Sequence, residues 1–225
     1  MKNVVVTGVS QGLGKCFFDI LSTKSVNLVA IGRHFTEYQE KTGKSLIEHD
    51  YCSKDEDYLK TLGKSLNDDE VILINNAGTI DPIGKIGSLD LEAYSKAMQI
   101  NCLGPVKLIN YLVSFCKSKR QRLTIINIST GAAVRPIAGW AGYCSTKAAV
   151  RMFLDVLQQQ EQESGEVNIV HVDPGVMDTG MQEKIRAASA QDFPSIDEFV
   201  NYKNSGILRK PSDVAEEILE KYVRP

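Results

Sequence analysis

The chain reads as an α/β protein, a doubly wound, mainly parallel sheet flanked by helices on both faces with a small helical lid. Three observations predict this. Short β-branched runs alternate with longer amphipathic stretches, the runs themselves are almost unbroken apolar sequence, and a glycine-rich turn follows the first of them. Runs such as VILI and LTIINI suit strands covered on both faces, and strands alternating with helices pair in parallel through crossovers.

Strands are expected at 4–7, 27–31, 45–48, 71–75, 123–129 and 167–172, with helices filling the gaps. The stretch 89–119 is long for one helix, and Gly104 with Pro105 interrupts it, so a kink is expected just after Asn101. Segment 178–206 mixes apolar and polar residues and reads as short helices forming a substrate-binding lid. A helix over 212–222 ends the pattern, and a sheet of six strands leaves an edge uncovered. At 225 residues and 43% hydrophobic content, 1–225 is expected to be a single domain.

Composition excludes several classes of function. With 26 basic and 28 acidic residues the net charge is −2, so neither nucleic acid nor an anionic membrane is an expected partner. The five cysteines are widely spaced without a CxxC pair, which suits free thiols in a reducing compartment and gives no metal site. The apolar run at the N-terminus breaks at Gly8 and no later run reaches membrane-spanning length, so a cytoplasmic protein is expected. His34, His49 and His171 have no nucleophile and carboxylate arranged around them in sequence, which gives no hydrolase triad.

Thr7-Gly8-Val9-Ser10-Gln11-Gly12-Leu13-Gly14 lies between the first strand and a helix expected at 15–21. That order of strand, turn and helix is what a Rossmann-type dinucleotide site requires, with the spacing GxxxGxG. Gly8 permits a tight turn, Gly12 lets main chain approach a pyrophosphate, and Gly14 allows close packing of the helix, whose N-terminus offers free N–H groups. Ser10 and Leu13 share the loop. After the second strand comes Ile31-Gly32-Arg33-His34, without the acidic residue that would bond an NAD ribose. Arg33 suits a 2′-phosphate, because a guanidinium can hold phosphate oxygens bidentately. Asp50, after the third strand, is a candidate acceptor for an adenine amino group or a cap for the next helix.

Tyr143 has Lys147 four residues later in a helical pattern over 142–160, so the two share a face. A free phenol titrates near about 10, and its use as a proton-transfer group at neutral pH asks for a value lowered by roughly 3 units. Lys147 beside it, with an oxidised nicotinamide, is expected to lower it. Ser129 and Thr130 end the fifth strand and place a hydroxyl at the carboxyl edge of the sheet, where it could hold a substrate carbonyl oxygen.

Taken together, TGVSQGLG, INNAG, Asn101, INIST, YCSTK and PGVMDT resemble the short-chain dehydrogenase/reductase family in order and spacing, over nearly the whole chain. GWAGYCSTKAAV and DPGVMDTGMQEKIR look most like its branch with bacterial benzil reductase and sepiapterin reductase. The resemblance implies an NADP(H)-dependent carbonyl reductase in which Tyr143 donates a proton to the carbonyl oxygen while Lys147 binds the nicotinamide ribose. It implies that Asn101 holds a relay water, that Asn76, Ala77 and Gly78 line the adenosine side, and that Pro174, Gly175, Val176 and Thr179 meet the nicotinamide end. The family's substrate-orienting serine falls on Thr130, thirteen positions before Tyr143, with Ser129 adjacent. Relatives usually add a strand after the final helix, so tetramer contacts are not expected and a homodimer through the helices after Gly104 and Tyr143 is.

On the substrate side, Trp140 and Met181, with Phe193, Phe199 and Tyr202, are expected to wall a bulky small-molecule ketone, a vicinal dicarbonyl or pterin-like ketone by resemblance. The alternative is a non-catalytic NADP(H)-binding regulator, for which a tuned tyrosine and lysine would have no use.

Overall fold

The computed structural model describes residues 1–223. Six strands, β1 (Asn3–Thr7), β2 (Asn27–Gly32), β3 (Ser45–Glu48), β4 (Val71–Asn75), β5 (Leu123–Ile128) and β6 (Val167–Val172), form one sheet in the order β3-β2-β1-β4-β5-β6. Every pairing is parallel. The order reverses between β1 and β4, and the crevice at that point, outside the carboxyl ends of the strands, is where a ligand has room. β1 and β4 are buried along their whole length, as their unbroken apolar runs required.

The alternation of strand side chains divides the core into two layers. Val4, Val6, Ile72, Ile74 and Ile126 face α1 (Gly12–Ser22) and α9 (Pro211–Tyr222), whose Phe17, Phe18, Val214 and Ile218 fill that side. Val5, Leu73 and Ile125 face α3 (Asp57–Ser65), α5 (Gly104–Lys119) and α6 (Ala141–Gln160) through Leu62, Leu108, Leu112 and Leu154. Each such side chain, fully buried, stabilises the fold by about 1.5–3 kcal/mol relative to exposure. The short α2 (Glu37–Glu40) is held by a capping box between Thr36 and Gln39.

The break in the long helical stretch sits earlier than expected. α4 (Leu91–Met98) passes into a π-helical turn, Gln99–Leu103, which leads directly into α5. Pro105 follows at once, as the second residue of α5, where it cannot donate the N–H that a continuous helix uses, and the irregular turn stands where that bond is missing. Gly104 serves packing: a Cβ there would lie 2.3 Å from the ring of Tyr51. Two further helices, α7 (Gly180–Arg186) and α8 (Ile196–Asn204), fall within 178–206. No helix among the described residues is long and apolar enough to cross a membrane.

Candidate active site

A cleft of about 680 Å³ opens at the carboxyl ends of β1, β2, β4, β5 and β6. The glycine turn forms its floor. Gly8 has φ +74°, and a Cβ on it would lie 2.7 Å from Ala77 Cα, so both the turn and the close approach require glycine. On Gly14 a Cβ would meet Gly8 O at 2.0 Å, so the helix start is pressed against the turn itself. The turn is braced from two sides. Thr7 Oγ1 accepts from the main-chain N–H groups of Asn76 and Ala77, each at 3.0 Å, and the Asn76 amide donates to Thr7 O and Gly8 O. The fully buried Gln39 donates from Nε2 to Val9 O at 2.9 Å. Neither brace was readable from local sequence, because each joins residues about thirty to seventy positions apart.

Ser10, Gly12, Leu13, Asn76 and Gly78 all line the cleft, as do Arg33 and Asp50. Arg33 is exposed, and among the described residues no carboxylate forms an ion pair with it. Asp50 Oδ1 accepts from Cys52 N at 2.9 Å, a local turn that leaves its carboxylate on the cleft wall. His34 is exposed and does not line the cleft. The chain turns away after Arg33 toward the capped α2, and that course follows from tertiary packing.

At the other end, Tyr143 and Lys147 project from one face of α6. Lys147 is buried, donates to Ile128 O at 3.1 Å, and lies 5.9 Å from the Tyr143 ring centre. Its amine is pulled down to about 8 by burial. Burial, reinforced by the charge of Asp173, pushes Tyr143 well above the ordinary phenol range, and the nearby Thr130 hydroxyl opposes this only in part. Desolvation outweighs neighbouring charge.

Two hydroxyls end β5. Both Ser129 and Thr130 line the cleft; Ser129 Oγ is closed off from solvent and has no hydrogen-bond partner among the described residues, whereas Thr130 is half-buried. Thr130 Oγ1 accepts from Ala132 N at 3.3 Å. Asn101 is also buried but lies behind the lining. Its Oδ1 accepts from Thr79 N at 2.7 Å, and its Nδ2 donates to Thr79 O at 2.8 Å and to Thr146 Oγ1 at 3.1 Å. With both ends of the amide engaged, its side chain fixes the loop after β4 close to Lys147.

Pro174, Gly175, Val176 and Thr179 follow β6 along the cleft, where Asp173 Oδ1 accepts from Gly175 N at 3.0 Å. Trp140 and Met181 line the opposite end with Phe199 and Tyr202. Phe193 does not: it is fully buried and stacks on Trp140 at 4.9 Å, while Trp140 meets the Tyr143 ring edge-on at 5.7 Å. Sequence reading missed Arg135, Gln182 and Glu198, which also line this end.

A family model described as short chain dehydrogenase matches residues 2–190. The chain belongs to that family. Within the short-chain dehydrogenases it sides with the benzil reductases. It is 36% identical to the benzil reductase ((S)-benzoin forming) of Bacillus cereus, over 97% of this chain and 92% of the relative. Its identity to the enzyme of the same name from Bacillus subtilis (strain 168) is 34%, with the same coverage. The crystal structure of the KRED1-Pglu enzyme shares the fold, at TM-score 0.86 and 22% identity, covering 100% of this chain and 95% of that one. As a short-chain dehydrogenase the chain is an oxidoreductase, built on the parallel sheet that the sequence predicted.

Proposed function

We propose that this short-chain dehydrogenase is an NADPH-dependent reductase of ketones and vicinal diketones, with Tyr143 as proton donor. The observation that carries the reading is the placement of Tyr143, Lys147 and Thr130 on the cleft wall at the end away from Arg33, with the glycine turn between them. The cleft fits a dinucleotide: Gly8, Gly12 and Gly14 line it, Gly8 and Gly14 are packed too tightly against Ala77 and the turn's own main chain to carry a Cβ, and the N-terminus of α1 opens onto it with no acidic residue in its first turn. When bound, NADPH supplies the hydride.

The chain's own residues do the rest. Ser10, Gly12 and Leu13 would hold the pyrophosphate, Asp50 and 76–78 the adenosine, and Arg33, with no carboxylate paired to it among the described residues, the 2′-phosphate. Lys147 would hold the nicotinamide ribose, with 174–176 and Thr179 at the nicotinamide end. The Tyr143 phenol, kept neutral by burial, holds a proton ready for a carbonyl oxygen, and the Thr130 hydroxyl orients that oxygen. Asn101, its amide committed to Thr79, positions the loop beside Lys147 and leaves its main-chain carbonyl for a relay water. Segment 178–206 acts as the lid of one domain, with Trp140 and Met181 against the substrate. The similarity to benzil reductases supports a diketone as substrate class.

The exposed Met152 and Val156, one turn apart on α6, support a homodimer. The test follows NADPH absorbance with benzil. Wild type is expected to turn over, and Tyr143→Phe to lose about 10²–10⁴-fold in rate while still binding nucleotide. Nucleotide binding without turnover of any ketone in the wild type would replace this reading with a non-catalytic NADP(H)-binding regulator.

A further inference from the structure

Three cationic side chains line the cleft: Arg33 at the adenosine end, Lys147 beside Tyr143, and Arg135 at the substrate end. The first two have uses in the reading above, on which this inference rests. Arg135 has none so far, yet its placement is specific. It follows Thr130 by one short 3₁₀ turn, Gly131–Ala133, and its guanidinium lies back over Gly131. A Cβ on Gly131 would sit 3.1 Å from Arg135 Nε and 3.2 Å from Nη2. The glycine thus gives the guanidinium room to lie flat against the main chain one residue beyond the carbonyl-orienting hydroxyl. Thr130, Gly131 and Arg135 all line the cleft, so the guanidinium and the carbonyl-orienting hydroxyl face one space.

Among the described residues the Arg135 guanidinium donates no hydrogen bond and pairs with no carboxylate. The acid on the facing lid helix, Glu198, is engaged otherwise: it accepts from the Tyr202 phenol within α8. The main chain of Arg135 is tied to α6 by a contact from Cys144 Sγ to Arg135 O at 3.9 Å, next to Tyr143. A fixed main chain, a flat resting place and an exposed planar charge, felt by the Tyr202 phenol but paired with no carboxylate among the described residues, make an acceptor for a planar anion.

We propose that Arg135 determines specificity, and that the enzyme takes carbonyl compounds with a carboxylate bonded directly to the reacting carbonyl carbon, namely 2-oxo acids with a bulky apolar group. The guanidinium holds the carboxylate, the apolar group meets Trp140 and Phe199, and the carbonyl oxygen is left to Thr130 and Tyr143. The reaction balances as ketone, NADPH and one proton giving the alcohol and NADP⁺: hydride adds to the carbonyl carbon, and the Tyr143 proton goes to its oxygen and is replaced from solvent.

Benzil and phenylglyoxylate form a matched pair of probes, because the second is the first with one benzoyl group replaced by carboxylate. Wild type should reduce both. Arg135→Leu should lower the ratio of kcat/KM for phenylglyoxylate over benzil by about 10- to 100-fold, through KM, and Arg135→Lys should restore part of it. Trp140 is the single tryptophan and lines the cleft, so its fluorescence gives a binding readout independent of turnover. Phenylglyoxylate should change it with wild type in the presence of NADP⁺ at concentrations where Arg135→Leu does not respond. Equal losses on both probes, an unchanged ratio, or a wild type that reduces benzil alone would each overturn the inference while leaving the reading of the site intact. Reduction of neither probe would overturn both.

Discussion

Tyr143 and Lys147 are driven in opposite directions by the same cause. Burial disfavours charge, so it raises the phenol and lowers the amine. The sign of the pH dependence follows. The phenol stays neutral through the working range, while the ammonium of Lys147 is present below about 8 and lost as pH rises through that value. Ketone reduction is therefore expected to decline above about pH 8, and a rate profile that stayed flat or rose there would contradict the assignment. At the far end of the cleft, Arg33→Ala should weaken NADP⁺ binding by roughly 10- to 100-fold with little change for NAD⁺, read by calorimetric titration; equal losses would remove the 2′-phosphate from the account. Tyr143, Lys147 and the hydroxyls of Ser129 and Thr130 were legible in sequence because their spacing is local. The choice between the two hydroxyls was not. Both residues line the cleft, and they differ in that Ser129 Oγ is closed off from solvent while Thr130 is half-buried, a fact about neighbours distant in the chain.

Among the elements, the junction of α4 and α5 carries a testable consequence. The π-helical turn sets Asn101 against Thr79 and Thr146, and Gly104 lets Tyr51 lie against the start of α5. A methyl on Gly104 would strike the root of the Tyr51 ring, which could clear it only by a change of χ1 in a packed site. Gly104→Ala should therefore cost about 1–3 kcal/mol in denaturant unfolding, and should weaken nucleotide binding as well, since Tyr51 lines the cleft. Full stability with unchanged affinity would show that the ring moves freely. The break in this helix was legible from Gly104 and Pro105, but its position and kind were not: both residues fit inside the first turn of α5, and the irregular turn precedes them.

For the whole molecule, the exposed apolar strip on α6 makes the prediction. Met152 is 63% exposed and Val156 47%, on the helix that carries the site. If two copies pair there, Met152→Glu combined with Val156→Glu should convert a dimer into a monomer in sedimentation velocity; a monomeric wild type would refute it. What the amino-acid order determined by itself is the alternation of strand and helix, the glycine cradle after β1 and the pairing of Tyr143 with Lys147, since each depends on residues close along the chain. Tertiary structure alone decided that Phe193 packs behind Trp140, that His34 leaves the cleft, that Gln39 props the glycine turn, and that Arg135 lines the cleft beside Tyr202. Periodicity reports which side of an element is apolar, whereas these placements depend on which distant surface that side meets, and on how much water is left there to soften a charge.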